Sequence, residues 1–340
     1  MKARTALIFA GGVAKGAFGA GAIEVLTARG VRFDRIVGAS SGALNAILIA
    51  AAVRRGCVEL AAQQLVELWL EEAHWTRFLD PSVRTIFSAR GLSDSDRLIE
   101  LMRAQLAALP AGTSAAVQLR LIVTAIDGVT VTTVEGPATT FEDVRRFESS
   151  DFDTDEGLEA VIRAAAASAA FPGLFAPVAL PPHGPAVDGG VVSNAPIKEA
   201  VADGDVDRVF VIIPYPALDE QRRVYQGTEL AGRLVEILIQ ERLFRDLREA
   251  AERNRSLAAL GALVHEGRLK SEQLRAVLAS IGWQRARPLE IIPIRPAHPL
   301  DGGTFSGFFD RSLRTRYVEQ GRDAARTALS TAAGELRVSD

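Results

Sequence analysis

The chain has 340 residues, 48% of them hydrophobic, which is ample for a substantial core in one large domain or two. A formal net charge of −3, with both signs interspersed, gives no electrostatic case for nucleic-acid binding. The single cysteine, Cys57, excludes an intrachain disulfide framework and supplies no metal cluster; its position after an apolar helix suits a small buried hydrophobe.

Ala6-Leu7-Ile8-Phe9 reads as a short strand, followed by the glycine-rich loop Ala10-Gly11-Gly12-Val13-Ala14-Lys15-Gly16 and a small-residue helix from Ala17 to Arg29. The opening Met1-Lys2-Ala3-Arg4 and the apolar residues after it superficially resemble a signal peptide. Gly11-Gly12 and Lys15 break that run, so the segment reads instead as a first strand and its loop. Consecutive N–H groups in such a loop can serve as an oxyanion hole or cradle a phosphate. The phosphate reading is weak: Lys15 precedes Gly16, Ala17 follows it, and no G-x-G-x-x-G is present.

Arg35-Ile36-Val37 is a second strand and Ala43–Val53 a second helix, with Gly38-Ala39-Ser40-Ser41-Gly42 between them in the pattern G-x-S-x-G. Strand, sharp turn and helix is the context that lifts a serine out as a nucleophile, although an N-cap serine beside turn glycines gives the same pattern. Two successive βα units imply a parallel sheet whose loops emerge on one edge, where Gly11-Gly12 and Ser40 can converge. No apolar run reaches the roughly 18 residues of a spanning helix. The longest candidate, Ala43–Val53, stops at Arg54-Arg55.

From about residue 60 to 116 the pattern is helical, over Ala61–Ala73 and Ser95–Leu109, with a loop at Phe78-Leu79-Asp80-Pro81. Trp69, Trp75, Phe78 and Phe87 gather here, as core or as a lipid-contacting lid. Strands are predicted over Leu119–Ala125, Gly128–Val134 and Ala176–Leu180, a helix over Leu158–Ala170, and a turn at Pro181-Pro182-His183-Gly184. Asp188, in Val187-Asp188-Gly189-Gly190, is by itself only a turn former; buried beside a serine, its pKa rises and it can accept the hydroxyl proton.

Val209–Ile213 reads as a buried parallel strand stopped by Pro214 and Pro216. Leu230, Leu234, Ile237, Leu238, Phe244 and Leu247 then recur at helical spacing, opposite a face where Glu241 and Glu249 precede Arg245 and Arg253 by four residues. A strand over Leu289–Ile294 and a helix over Ser312–Leu329 follow.

These residues together resemble the patatin-like phospholipases, lipid acyl hydrolases that use a Ser-Asp dyad. The resemblance rests on Gly11–Gly16, Gly38–Gly42 and Asp188-Gly189-Gly190, and extends to Ala167-Ser168-Ala169-Ala170-Phe171-Pro172-Gly173 and Asn194-Ala195-Pro196. It implies an α/β, three-layer fold with a central, mainly parallel sheet flanked by helices, plus helical insertions. Residues 1–216 would form the catalytic core with an insertion near 60–116, residues 217–287 a helical insertion able to act as a cap, and residues 288–340 the strand and helix completing the core. It implies Ser40 as nucleophile, Asp188 as base and the amides of Gly11, Gly12 and Val13 as oxyanion donors. Lys15, Gly16, Gly38, Gly42, Gly189 and Gly190 would support them, with no metal and no cofactor. The implied substrate is a phospholipid or other acyl-ester lipid, met by a cytoplasmic protein in transient contact with a membrane surface; the oligomeric state is left open. Val13 departs from the family, which commonly has a third glycine there. At a positive-φ position a β-branched residue is unfavourable, so the third amide would be strained or displaced.

Two other readings stay open. In a Ser-His-Asp α/β-hydrolase, His265 and His298 would follow Asp188 in the required order, but the elbow there comes later than the second βα unit. Neither they nor His74 and His183 sit in a shared motif, and His183 is closest to Asp188. The other reading is a non-catalytic lipid-binding module, which Val13 alone favours.

Overall fold

A computed structural model describes residues 4–78, 95–133, 136–217, 228–283 and 287–338. Strand β1 (Thr5–Phe9) is almost wholly buried, as its unbroken apolar run requires of a strand with both faces covered. It pairs in parallel with β2 (Arg35–Ala39) and with β7 (Arg208–Ile212), at the middle of one eight-stranded sheet. The others are β3 (Gln118–Thr133), β4 (Gly136–Phe147), β5 (Val178–Leu180), β6 (Gly184–Asp188) and β8 (Glu290–Ile294). The order is β5-β6-β3-β2-β1-β7-β8, with β4 also on β3. The β3-β2-β1-β7-β8 run is parallel, and the β4, β5 and β6 pairings are antiparallel.

The helices are α1 (Ala17–Ala28), α2 (Ser41–Arg55), α3 (Val58–Glu67), α4 (Ser95–Ala107), α5 (Asp155–Ser168), α6 (Thr228–His265), α7 (Ser271–Ser280) and α8 (Arg311–Val338). Both crossovers from β1 to β2 and from β2 to β3 step the same way along the sheet, so right-handedness puts α1 and α2 on one face. The β7-to-β8 crossover steps the other way and carries α6 and α7 to the opposite face. The result is a mostly parallel sheet between helical layers, the α/β fold expected. Helix α8 crosses α1 backbone to backbone: a Cβ on Gly21 would overlap the Val318 carbonyl, and one on Gly321 the Phe18 carbonyl.

The structure differs from the predicted elements in places. The two strands expected over 119–134 are one strand, β3, whose pairing with β4 shifts register between Thr124 and Val129. Neither β4 nor β6 is predicted by the sequence pattern. The helix expected over 61–73 divides into α3 and a π-helical turn, Leu68–Glu72. Trp69 is buried in the core and donates from Nε1 to Asn45 Oδ1 at 2.8 Å. Trp75 stacks on Phe309. Phe87, with Leu79-Asp80-Pro81, lies outside the described residues. In α6, Leu230, Leu234, Ile237 and Leu238 face outward at 45–67% exposure, while Ile239 and Leu243 turn inward. Glu241 is bound by Arg248 and Glu249 by Arg245, whereas Arg253 lies over the Trp283 ring. Among the described residues no helix is long and apolar enough to cross a membrane.

Candidate active site

Ser40 stands alone between the end of β2 and the start of α2, with φ +54° and ψ −136°, a conformation few non-glycine residues adopt. The turn holds because its neighbours are small: a Cβ on Gly38 would come within 2.7 Å of Ala43 Cα, and one on Gly42 would overlap the Phe9 carbonyl. Hydrogen bonds fix the strained residue from outside the elbow. Ser40 N–H donates to Ser168 Oγ at 3.0 Å, and Ser168 Oγ in turn donates to the Ile122 carbonyl at 2.6 Å. Ser168, the last residue of α5, therefore ties the elbow to β3.

Asp188 ends β6 opposite Val123 of β3. Its N–H donates to the Ala170 carbonyl and its own carbonyl accepts from Thr124 Oγ1 at 2.8 Å, so the backbone on both sides of the carboxylate is anchored. Gly189 lets this segment lie directly on the Ile122 carbonyl. The carboxylate is 3% exposed. Oδ2 accepts from Ser40 Oγ at 2.7 Å, and Oδ1 accepts from the Gly190 N–H at 2.7 Å. Burial disfavours the charged form and pushes the pKa up to about 7, against the opposing pull of the bonds from Ser40 and Gly190.

The glycine-rich loop lies against the elbow, and a Cβ on Gly11 would come within 2.5 Å of Ser40 Cβ. Its three amides differ in what they can donate to. Gly11 N–H is already committed to Asn194, donating to Oδ1 at 3.1 Å and to the carbonyl at 3.4 Å, while Asn194 Nδ2 donates back to the Gly11 carbonyl at 3.2 Å. This corrects the expectation for Gly11, whose amide is a structural donor. Gly12 N–H donates to Ser41 Oγ at 3.1 Å, an acceptor that can rotate away. Val13 N–H meets no acceptor among the described residues, and Val13 has φ +53° and lines the pocket. The valine thus adopts the positive φ expected of a third glycine.

Lys15 is buried, with Nζ 2.9 Å from Glu236 Oε1 of α6 and 5.2 Å from the Tyr215 ring centroid. Gly16 leaves room for the Trp69 ring and Gly190 for the Asn194 amide. Ser40 and Asp188 open into a cavity of about 40 Å³ whose other walls are almost entirely apolar, including Leu44, Trp69, Leu98, Leu174, Phe175 and Phe308.

No histidine touches this pair among the described residues. His183 Nδ1 is 3.0 Å from Asp143 Oδ2, His74 Nδ1 bonds Thr76 Oγ1, and His265 and His298 are exposed. Three residues beyond the motifs' own chemistry matter to the geometry: Ser168, Asn194 and Asp246. The last accepts from Ser193 Oγ at 2.9 Å and the Ala195 N–H at 3.1 Å, flanking Asn194. The Ser168 and Asn194 segments are visible in sequence beside the motifs; no sequence signal marks Asp246.

A strained serine turn and a buried aspartate on a mostly parallel, helix-flanked sheet match a patatin-like α/β fold. The patatin-like phospholipase family profile matches residues 7–201, and the chain belongs to that family. No curated protein matches it in sequence. Among solved structures, VipD from Legionella pneumophila is similar at a TM-score of 0.49 and 14% identity, over 96% of this chain and 67% of that one. The type III effector ExoU is similar at a TM-score of 0.40 and 13% identity, over 97% of this chain and 53% of that one. In the ExoU–SpcU complex of Pseudomonas aeruginosa the values are 0.34 and 18%, over 72% and 51%. This chain spans about half the length of the ExoU chains it resembles.

Proposed function

We propose that the chain is a serine lipid acyl hydrolase, cleaving carboxylic esters of phospholipids or related lipids through a Ser40–Asp188 dyad. The observation that carries this reading is the 2.7 Å bond from Ser40 Oγ to Asp188 Oδ2 at the end of an apolar cavity. Asp188 takes the hydroxyl proton as Ser40 Oγ bonds to the ester carbonyl carbon, and the alcohol or lysolipid leaves with a proton returned from Asp188. Water, deprotonated by Asp188, then attacks the acyl carbon, and Ser40 Oγ leaves with that proton as the fatty acid is released. A carboxyl titrating near neutrality suits both directions of transfer. The developing oxyanion is held by the Val13 N–H, which meets no other acceptor among the described residues, and by the Gly12 N–H once Ser41 Oγ turns away.

Residues 1–216 serve as the catalytic core, 217–287 as a cap and 288–340 as the segment completing the core. The Lys15–Glu236 pair, which joins the catalytic loop to α6, supports the cap assignment. The outward stripe of Leu230, Leu234, Ile237 and Leu238 supports transient contact with a membrane surface by a peripheral, cytoplasmic protein. The test is a panel of p-nitrophenyl esters and phospholipid vesicles with wild type and Ser40→Ala side by side. Ser40→Ala is expected to lose hydrolysis while keeping its melting temperature, and a fluorophosphonate probe to label Ser40 alone. Comparable turnover in the folded variant overturns the dyad.

A further inference from the structure

A second cleft, of about 560 Å³, lies where the helical insertion meets the core. One face of α6 lines it with Asp246, Glu249 and Arg253; Glu142 of β4, the segment around Ser193–Val201 and Trp283 beyond α7 complete it. None of the chemistry proposed above uses it. Its two ends carry opposite charges that are incompletely paired. Arg253 lies with its guanidinium carbon 5.6 Å from the Trp283 ring centroid, and among the described residues no carboxylate pairs with it. Its Nε is buried without an acceptor, and burial lowers its pKa with no neighbouring charge to offset the effect. A buried guanidinium N–H left unbonded costs stability, and an oxyanion bound in the cleft would supply its acceptor.

The other end of the cleft carries the opposite imbalance. Glu142 is pushed up chiefly by burial, with Lys198 and Arg245 pulling it down and Glu199 and Asp246 pushing it up. Asp246 is likewise pushed up by burial, against its bonds from Ala195 and Ser193 and the nearby Arg245. Arg253 lies seven residues beyond Asp246 on α6, about 10 Å along the axis, a gap that the long arginine side chain shortens. An under-compensated cation beside an indole and an under-compensated acidic cluster therefore share one cavity.

We propose that this cleft binds a small zwitterion, its oxyanion held by Arg253 beside Trp283 and its cationic nitrogen facing Glu142 and Asp246. A free phosphoamine and a lipid headgroup share this chemistry. Neither half alone satisfies both ends, so affinity depends on both charges in one molecule.

The full chain carrying Ser40→Ala, which turns over no lipid, is titrated with O-phosphoethanolamine, with inorganic phosphate and with ethanolamine, by calorimetry and by tryptophan fluorescence. The zwitterion is expected to saturate, binding at least about tenfold more tightly than either half. Arg253→Gln and Glu142→Gln each weaken it by about tenfold or more, Arg253→Lys less, and Trp283→Phe abolishes the fluorescence response while calorimetric binding persists. Phosphatidylethanolamine vesicles, compared with phosphatidylglycerol vesicles, separate a lipid-borne headgroup from a soluble ligand. Failure of both the free zwitterion and the phosphatidylethanolamine vesicles to saturate overturns the proposal. So does phosphate binding as tightly as the zwitterion, or unchanged affinity in an Arg253→Gln chain that melts like its parent. No arm depends on hydrolysis, so these outcomes are separate from those that test the dyad.

Discussion

Replacing Asp188 with asparagine separates what the carboxylate does for chemistry from what it does to the fold. Folded, this carboxyl titrates near 7, against 3.8 for an ordinary aspartate. The folded pKa is raised, so the group's contribution to stability is complete below about pH 4, declines as pH climbs from 4 to 7, and is lost above. A shift of about 3 units corresponds to roughly 4 kcal/mol at pH 8. Asparagine carries no such penalty and retains the geometry: Oδ1 still accepts the Gly190 N–H, and the amide donates to Ser40 Oγ. Asp188→Asn is therefore expected to be more stable than wild type by up to roughly 4 kcal/mol at pH 8, and equal to it near pH 4. With an unfolding entropy of about 2.1 cal/mol/K per residue, the 340-residue chain gains roughly 5 °C in Tm. Ester hydrolysis falls by roughly 10³-fold, because the amide cannot take the Ser40 proton. The assay is thermal melting of both proteins from pH 4 to 8.5, with p-nitrophenyl butyrate turnover alongside. A variant that melts below wild type at pH 8, or a stability gap that does not vary with pH, refutes the argument.

In wild type, kcat/KM should rise with pH to a plateau with a midpoint near 7, as Asp188 loses its proton; a flat profile from pH 5 to 8 would exclude it as the base. Val13→Gly should change kcat by less than about threefold, because the valine already holds the positive φ that aims its amide. Its Tm should fall slightly, since losing a buried isopropyl group (about 2 kcal/mol) outweighs relief of the left-handed backbone (about 1–2 kcal/mol). A tenfold rise in kcat would mean the amide is misplaced. Asn194→Ala should lower kcat about tenfold with little change in KM, by freeing the Gly11 amide and carbonyl; an unchanged kcat would leave the loop self-supporting. Lys15→Met should destabilise the fold by less than the roughly 3–5 kcal/mol of a fully stranded buried charge, because Arg233 still pairs with Glu236 at 3.3 Å, and adding Glu236→Met should recover part of the loss in chemical denaturation.

What was legible in the sequence was whatever short-range pattern controls. The runs Ala6–Phe9 and Val209–Ile213 are apolar throughout because strands at the middle of a parallel sheet are covered on both faces. The elbow was legible because a strained serine demands small residues on both sides. The outer part of β3 was legible as the run from Gly128, but β4 was not: most of 136–141 is exposed, so no burial pattern marks it. Strand β6 hid behind Gly184-Pro185, which reads as a turn. The committed Gly11 amide also escaped, because its acceptor, Asn194, lies 183 residues along the chain. Helix α6 showed its apolar stripe in sequence, but not that the Leu230–Leu238 part faces outward. Spacing reports that residues share a face and says nothing of what that face meets.

The crossing of α1 by α8 sets the order in which the site can be assembled. The glycine-rich loop and Ser40 are translated well before α8, yet α1 packs through Gly21 and Phe18 against Val318 and Gly321. Phe308, a wall of the Ser40–Asp188 cavity, is also translated late, and Gly307 beside it lies against Ala14 of the loop. A nascent chain ending before this point holds both Ser40 and Asp188 without the surface that seats the loop or closes the cavity. On the proposed dyad, hydrolytic competence therefore waits for α8, long after Ser40 and Asp188 are made. A truncation ahead of α8 should therefore be as disabling as Ser40→Ala.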